Sequence, residues 1–254
     1  MHLLKYNISD SVIAFSTKRG GGEGCYETFN ITHYCGDSEE HVSVCRKELC
    51  EELNIRDENL ILPRQTHEAN IIVIDEEFLS LNKTEQMHNL YGVDAIITSI
   101  PSVCIGVSTA DCVPLLLYDT NKKVVAAIHA GWRGTVQRIA EKTIGYMQNK
   151  FSTSPSDIVA VICPSIGVEA FEVGDEVYNA FSEQGFDMDI IAKRYEKWHI
   201  DLWEANRLQL VSCGVMPENI QLSSICTYTN HDEFFSARRL GINSGRIFNG
   251  IMMK

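Results

Sequence analysis

Between positions 95 and 128 the chain passes through four short apolar runs, 95–98, 103–107, 114–118 and 124–128, separated by turn or polar residues. Runs of this length, rich in Val, Ile, Leu and Ala, predict four strands. Further strands are expected at 12–16, 71–74, 158–162 and 221–226. Helices are expected at 39–53, with Ser38 as N-cap, and at 135–150, 171–181 and 202–211. Strands and helices mix without a regular βαβ rhythm, which predicts an α/β fold in a single domain, with a mixed sheet and helices outside. No repeat, low-complexity tract or Pro/Gly/Ser-rich linker divides the 254 residues.

The formal net charge of −12 argues against sequence-independent binding to nucleic acid or to anionic membranes. An anionic substrate would need a local cluster of arginines. The start, Met1-His2-Leu3-Leu4-Lys5-Tyr6, is not a secretory signal, and no apolar stretch reaches spanning length. The nine cysteines are odd in number and form no C-x-x-C pair, so neither a disulfide framework nor a zinc ribbon is expected. A cytoplasmic location follows as the expectation.

Three segments place polar residues at the ends of apolar strands: Pro63-Arg64-Gln65-Thr66-His67-Glu68, Ser108-Thr109-Ala110-Asp111-Cys112 and His129-Ala130-Gly131-Trp132-Arg133-Gly134. Strand ends of this kind commonly hold the sites of α/β proteins. Cys112 and His129 flank what reads as a hairpin, which would bring thiol and imidazole together. Two chemistries use such a pair. The imidazole can raise the thiolate fraction of a cysteine nucleophile. Alternatively both ligate zinc, with His67 as third ligand and the fourth position free. Asp111 reads either as a general acid or base or as a turn residue.

Arg238, Arg239 and Arg246 form a C-terminal basic cluster suited to phosphate oxygens, or else a charged surface turn. The Gly20-Gly21-Gly22-Glu23-Gly24 run lacks the ending of a P-loop and is not read as a nucleotide site. Trp132, Trp198 and Trp203 are expected in core or rim packing.

The segments, taken in order, resemble one family across nearly the whole chain. They are Phe15-Ser16-Thr17-Lys18-Arg19-Gly20-Gly21 with Phe29-Asn30 and Gly36-Asp37, then Gln65-Thr66-His67, then Asp94-Ala95 with Thr109-Ala110-Asp111-Cys112-Val113-Pro114. His129-Ala130-Gly131-Trp132-Arg133-Gly134 follows, then Cys163-Pro164-Ser165-Ile166-Gly167, Phe171-Glu172-Val173-Gly174, and Phe235-Ser236-Ala237-Arg238-Arg239 with Gly245-Arg246. The chain is similar in these to the YfiH/YlmD-like family, labelled multicopper polyphenol oxidase (laccase) and understood as purine nucleoside phosphorylases. The resemblance implies an α/β/β/α-type sandwich of two stacked sheets between helical layers, and zinc on His67, Cys112 and His129. It implies phosphorolysis of adenosine, inosine and methylthioadenosine to base and ribose 1-phosphate, with adenosine deamination as a second activity. Asn30 and Arg46 are the implied substrate contacts, Arg46, Arg238 and Arg246 the candidates for phosphate, and a homodimer is implied for part of the family.

The chain departs from the family pattern at Glu68 (usually Gly), Cys45 (Asn), Cys163 (Gly) and Ala237 (Tyr), which leaves substrate preference open. The laccase label conflicts with the histidines: eight in all, with no His-x-His pair to hold a copper cluster. Two rival readings stand beside the phosphorylase. One is a metal-free cysteine hydrolase or deamidase using Cys112 and His129, a pairing that resembles that of the cytotoxic necrotizing factor toxins. The other is a zinc-stabilised binding module, which a site of three ligands fits poorly, since structural zinc normally has four.

Overall fold

The structure is a computed structural model that describes residues 2–20, 26 and 28–254. The glycine run, apart from Gly20, lies outside the described residues. In chain order the elements are β1 (Leu3–Tyr6), β2 (Val12–Thr17), α1 (Glu39–Leu53), β3 (Leu60–Ile61), β4 (Ile71–Ile74), α2 (Glu76–Ser80), α3 (Lys83–Asn89) and β5 (Ala95–Thr98). There follow β6 (Cys104–Thr109), β7 (Val113–Asp119), β8 (Val124–Ala130), α4 (Trp132–Val136), α5 (Ile139–Phe151), β9 (Ile158–Ile162), β10 (Glu172–Val173) and α6 (Asp175–Glu183). The last are α7 (Met188–Ile191), β11 (Ala192–Arg194), β12 (Trp198–Ile200), α8 (Leu202–Ser212), β13 (Ile220–Leu222), α9 (Ala237–Leu240) and β14 (Ile247–Met253).

Two mixed sheets carry the fold. One runs β1-β2-β14-β6-β3 and the other β13-β9-β7-β8-β5-β4, with a small third sheet β10-β12-β11. Side-chain alternation sorts the apolar residues into layers. Leu116 and Tyr118 of β7, with Val125 and Ala127 of β8, face Ala14, Ile105, Val107 and Ile251 of the five-stranded sheet. Their neighbours Leu115, Leu117, Ala126 and Ile128 face the other way, onto Ile144 and Met147 of α5 and Ala205 and Leu210 of α8. On the far side Phe15 and Phe248 pack against Cys45 and Leu49 of α1. The order is therefore helix, sheet, sheet, helix, the α/β/β/α sandwich expected. Both faces of the six-stranded sheet are covered, so β7 and β8 are buried along their whole length and mostly apolar, with Asp119 and His129 as the charged exceptions near their ends.

Three expected elements differ. The helix expected over 135–150 starts earlier, at Trp132, and breaks before Ile139. Arg138 takes a left-handed φ of +61° at the break. It is held there by bonds to Glu141 (2.9 Å) and the Gln184 carbonyl (2.8 Å), with its guanidinium over Phe186. The helix expected from Phe171 begins only at Asp175, because Glu172 and Val173 pair with β12 and Gly174 caps the helix. The strand expected over 221–226 ends at Leu222, and Ser224 turns through a φ of +55°. The described cysteines are all free thiols, most of them buried, as the sequence suggests.

Candidate metal centre

The β6–β7 connection crosses from one sheet to the other, and Cys112 sits on it immediately before β7. β7 and β8 pair antiparallel, with Pro114 opposite His129, so the hairpin expected from the sequence brings thiol and imidazole to one edge. His67 arrives on the loop between β3 and β4. Donor atoms of His67, Cys112 and His129 all lie within 4.8 Å of one another. The two imidazoles meet edge to face at a centroid distance of 4.8 Å. His129 is buried, Cys112 half-buried and His67 exposed, so the cluster opens outward on the His67 side.

Gly131 makes this closeness possible. A Cβ at that position would lie 3.0 Å from the Cys112 sulfur and 3.2 Å from His67 Cδ2. The backbone there has φ −62°, which any residue adopts, so it is the space and not the conformation that requires glycine.

Asp94, at the entrance to β5, organises the cluster. Its carboxylate accepts from His129 Nδ1 at 2.6 Å and from the backbone N–H groups of His67 (3.1 Å) and Glu68 (2.8 Å). Its own carbonyl accepts from the His129 N–H at 2.8 Å. With Nδ1 so occupied, His129 presents Nε2 to the cluster, the arrangement found where a carboxylate orients a metal-bound histidine. His67 itself is held in a left-handed conformation, φ +65°.

Without a metal, burial alone would raise the Cys112 thiol, but the charge and hydrogen bond of His129, and those of His67, bring it down to about 6. Burial would lower His129, and the Cys112 sulfur with the Asp94 carboxylate raises it to about 9. Burial pushes Asp94 up, but the hydrogen bond and charge of His129 leave it below the usual carboxylate range. The cluster thus favours thiolate at neutral pH. One thiolate and two imidazoles suit a borderline-soft divalent ion, whose bonds of about 2.0–2.3 Å space its ligands only a little more closely than these. The residues fit a metal.

The remaining candidates fall into separate groups. Both carboxylate oxygens of Asp111 accept hydrogen bonds, from Thr227 Oγ1 and from the Arg238 backbone N–H, each at 2.7 Å. Asp111, with φ +90°, thereby ties the Cys112 loop to α9. The Arg238 guanidinium rests on the Glu172 carbonyl, over the Phe171 ring. Asn30 is buried, and its side-chain oxygen accepts from the Arg246 N–H at 3.2 Å while its amide donates to Asp37 at 2.8 Å. The Arg246 guanidinium donates to the carbonyls of Ile242, Ser244 and Gly245. Arg46 bonds Asp57 (3.0 Å) and the Leu60 carbonyl (3.1 Å), joining α1 to the entrance of β3. Asp94 is the site residue whose role the sequence segments do not reveal. Its signals are its place in the Asp94-Ala95 motif and an acid standing directly before a buried strand.

The profile of the family described as "Multi-copper polyphenol oxidoreductase laccase" matches residues 12–254. A protein of Bacteroides thetaiotaomicron named purine nucleoside phosphorylase is 51% identical over 244 residues, covering 94% of this chain and 90% of that one. A protein of an unknown prokaryotic organism named adenosine deaminase RL5 is 46% identical over 250 residues, covering 96% and 95%. The crystal structure of YlmD from Geobacillus stearothermophilus superposes with a TM-score of 0.89 at 29% identity, over 98% of this chain and 94% of that one. The chain belongs to the multi-copper polyphenol oxidoreductase laccase family, with its YfiH and YlmD relatives.

Proposed function

We propose that the chain, as one domain over residues 1–254, is a zinc-dependent purine nucleoside phosphorylase. It would convert adenosine, inosine and methylthioadenosine to the free base and the ribose 1-phosphate, with adenosine deamination as a second activity. The observation that carries the reading is the convergence of His67, Cys112 and His129 within 4.8 Å, in a chain about half identical to a protein named for that reaction. Zinc is favoured over copper because the eight histidines include no His-x-His pair of the kind that multicopper clusters usually use. His67, Cys112 and His129 would hold the zinc, which would supply Lewis-acid polarisation when bound.

In phosphorolysis a phosphate oxygen bonds to the anomeric carbon as the glycosidic C–N bond breaks, and the purine nitrogen leaves with the electron pair and takes up a proton. The acidic chain needs positive groups to hold phosphate, and Arg46, Arg238 and Arg246 are the candidates. Arg238 has the most direct link to the cluster, through its backbone bond to Asp111 beside Cys112. Asn30 supports Arg246 from beneath. Asp111 stands next to Cys112 as acid or base, with one hydrogen bond on each carboxylate oxygen and a lone pair left on each to take a proton. Asp94 keeps His129 in one tautomer.

One observation favours a second reading. The lowered Cys112 thiol beside His129 suits a metal-free cysteine nucleophile. Cys112→Ala separates the two when zinc content and nucleoside turnover are measured together. The phosphorylase reading expects both to be lost. Full zinc and full turnover in the variant would refute it, and thiol labelling that is unaffected by zinc would favour the nucleophile. Among the described residues no helix is long and apolar enough to cross a membrane. The proposal places the enzyme in the cytoplasm, without nucleic-acid or membrane partners.

A further inference from the structure

The His67 loop must be registered against two sheets at once, because Cys112 leaves one sheet and His129 belongs to the other. Asp94 provides the link to the six-stranded sheet. A different residue provides the link to the five-stranded one. Gln65 Nε2 donates to the Ser108 carbonyl at 2.7 Å, and Gln65 Oε1 accepts from the Ser108 N–H at 2.9 Å. A side-chain amide thus pairs with both backbone groups of one residue, as a neighbouring strand would.

The reason lies in β3. It pairs with β6 only at Leu60–Cys104 and Ile61–Ile105, so the edge of β6 beyond Ile105 has no strand beside it. Ser108 would leave two polar backbone groups unmatched at a buried position, and the Gln65 amide matches them. Ser108 is itself fixed, since its hydroxyl lies 2.6 Å from Thr32 Oγ1. The Tyr34 hydroxyl lies 3.1 Å from Gln65 Oε1 and holds the amide from outside. Cys112 is four residues past Ser108, and His67 two residues past Gln65.

We infer that Gln65 is a positioning residue for the metal centre: its paired bonds to Ser108 set the separation of His67 from Cys112. It touches no reacting atom. The inference rests on the metal reading of the cluster and goes beyond it by naming what holds two ligands from different loops in register. Loss of outer-sphere partners bonded directly to a ligand typically changes metal affinity about 10–100-fold, and that sets the scale for Gln65, whose bonds go to the Ser108 backbone.

The test is cobalt(II) and zinc titration of the full-length, metal-stripped chain, wild type against Gln65→Met, Gln65→Glu and Gln86→Met. Gln65→Met keeps the shape and loses both bonds, while Gln65→Glu keeps an acceptor for the Ser108 N–H. Gln86→Met is a control for general loosening, because the Gln86 amide serves the carbonyls of Phe78, Leu79 and Leu81, away from the cluster. The expected result is affinity about 10–100-fold weaker in Gln65→Met, with a weakened thiolate-to-cobalt absorption band at saturating metal. Gln65→Glu falls between, and Gln86→Met binds like wild type. Wild-type affinity and spectrum in Gln65→Met, or an equal loss in Gln86→Met, would overturn the inference and leave the metal centre standing. A wild-type protein without a thiolate-to-cobalt band that Cys112→Ala abolishes would remove the metal centre and the inference with it.

Discussion

The Asp94 carboxylate accepts a 2.6 Å hydrogen bond from His129 Nδ1, and both side chains are closed to solvent. Removing one partner of a buried pair leaves the other uncompensated, at a cost of about 3–5 kcal/mol. Asp94→Ala is therefore expected to lower stability by that order in urea unfolding. Asp94→Asn keeps the shape and is expected to weaken metal binding about 10–100-fold.

The same pair gives a pH signature in the metal-free protein. Asp94 is held below the usual carboxylate range, so its contribution is present above about pH 4 and is lost as pH falls through its lowered value. His129 is raised to about 9, so its contribution is complete below roughly pH 6.5 and is lost as pH rises through that value. The stability gap between wild type and Asp94→Asn, followed by unfolding at several pH values, is expected to be widest between about pH 4 and 6.5. A gap that grew steadily toward alkaline pH would contradict the assignment.

Much of this arrangement was legible in the residues. Cys112 and His129 were placed at the ends of neighbouring strands because apolar runs bounded by turn residues are a local signal, and β7 with β8 has that hairpin. The sandwich order came from resemblance, since nothing in the runs at 103–107 and 114–118 says that consecutive strands belong to different sheets. β14, with its seven buried residues, went unread although it sits between β2 and β6. Its interruption by Asn249 and Gly250 hides the apolar pattern, and both have tertiary reasons. Asn249 bonds Ser16 and Thr109, and a Cβ at Gly250 would strike Phe248 and Phe15. Arg138 breaks a helix through contacts to Gln184 and Phe186, residues far along the chain that local periodicity cannot register.

Cys112 carries a thiol lowered to about 6 in the absence of metal, whereas burial pushes the Cys163 thiol up to about 12. Iodoacetamide labelling of chelator-treated protein is expected to modify Cys112 with a pH midpoint near 6, leaving Cys163 unmodified until unfolding. The rate falls as pH drops below that midpoint, because the thiolate is lost. Prior zinc loading is expected to protect Cys112. Peptide mapping by mass spectrometry reads both effects.

Gly131 admits the close approach of Cys112 and His67. In Gly131→Ala the new methyl group must push one of them away by a few tenths of an ångström. The extended backbone at Gly131, φ −62°, tolerates alanine, so the melting temperature of the metal-free protein is expected to stay close to wild type. Metal affinity is expected to fall by about tenfold or more, as for other disturbances around a ligand set. Unchanged affinity would mean that the cluster does not act as a ligand set.

Arg238 is linked to the cluster through Asp111. Loss of a charge-assisted hydrogen bond costs about 1.5–3 kcal/mol, or roughly 10–100-fold in an equilibrium constant. Arg238→Ala is accordingly expected to raise the KM for phosphate by that order and to leave metal content intact. Initial rates at varied phosphate decide this, and a changed nucleoside KM with an unchanged phosphate KM would move Arg238 out of the phosphate role.

In the proposed reaction phosphate is the nucleophile. Zinc-loaded protein incubated with adenosine and with inosine, with and without phosphate, and resolved by chromatography, tests it most directly. Free adenine and hypoxanthine, with ribose 1-phosphate, are expected only where phosphate is present. Equal base release without phosphate, or no base in either condition, would contradict it.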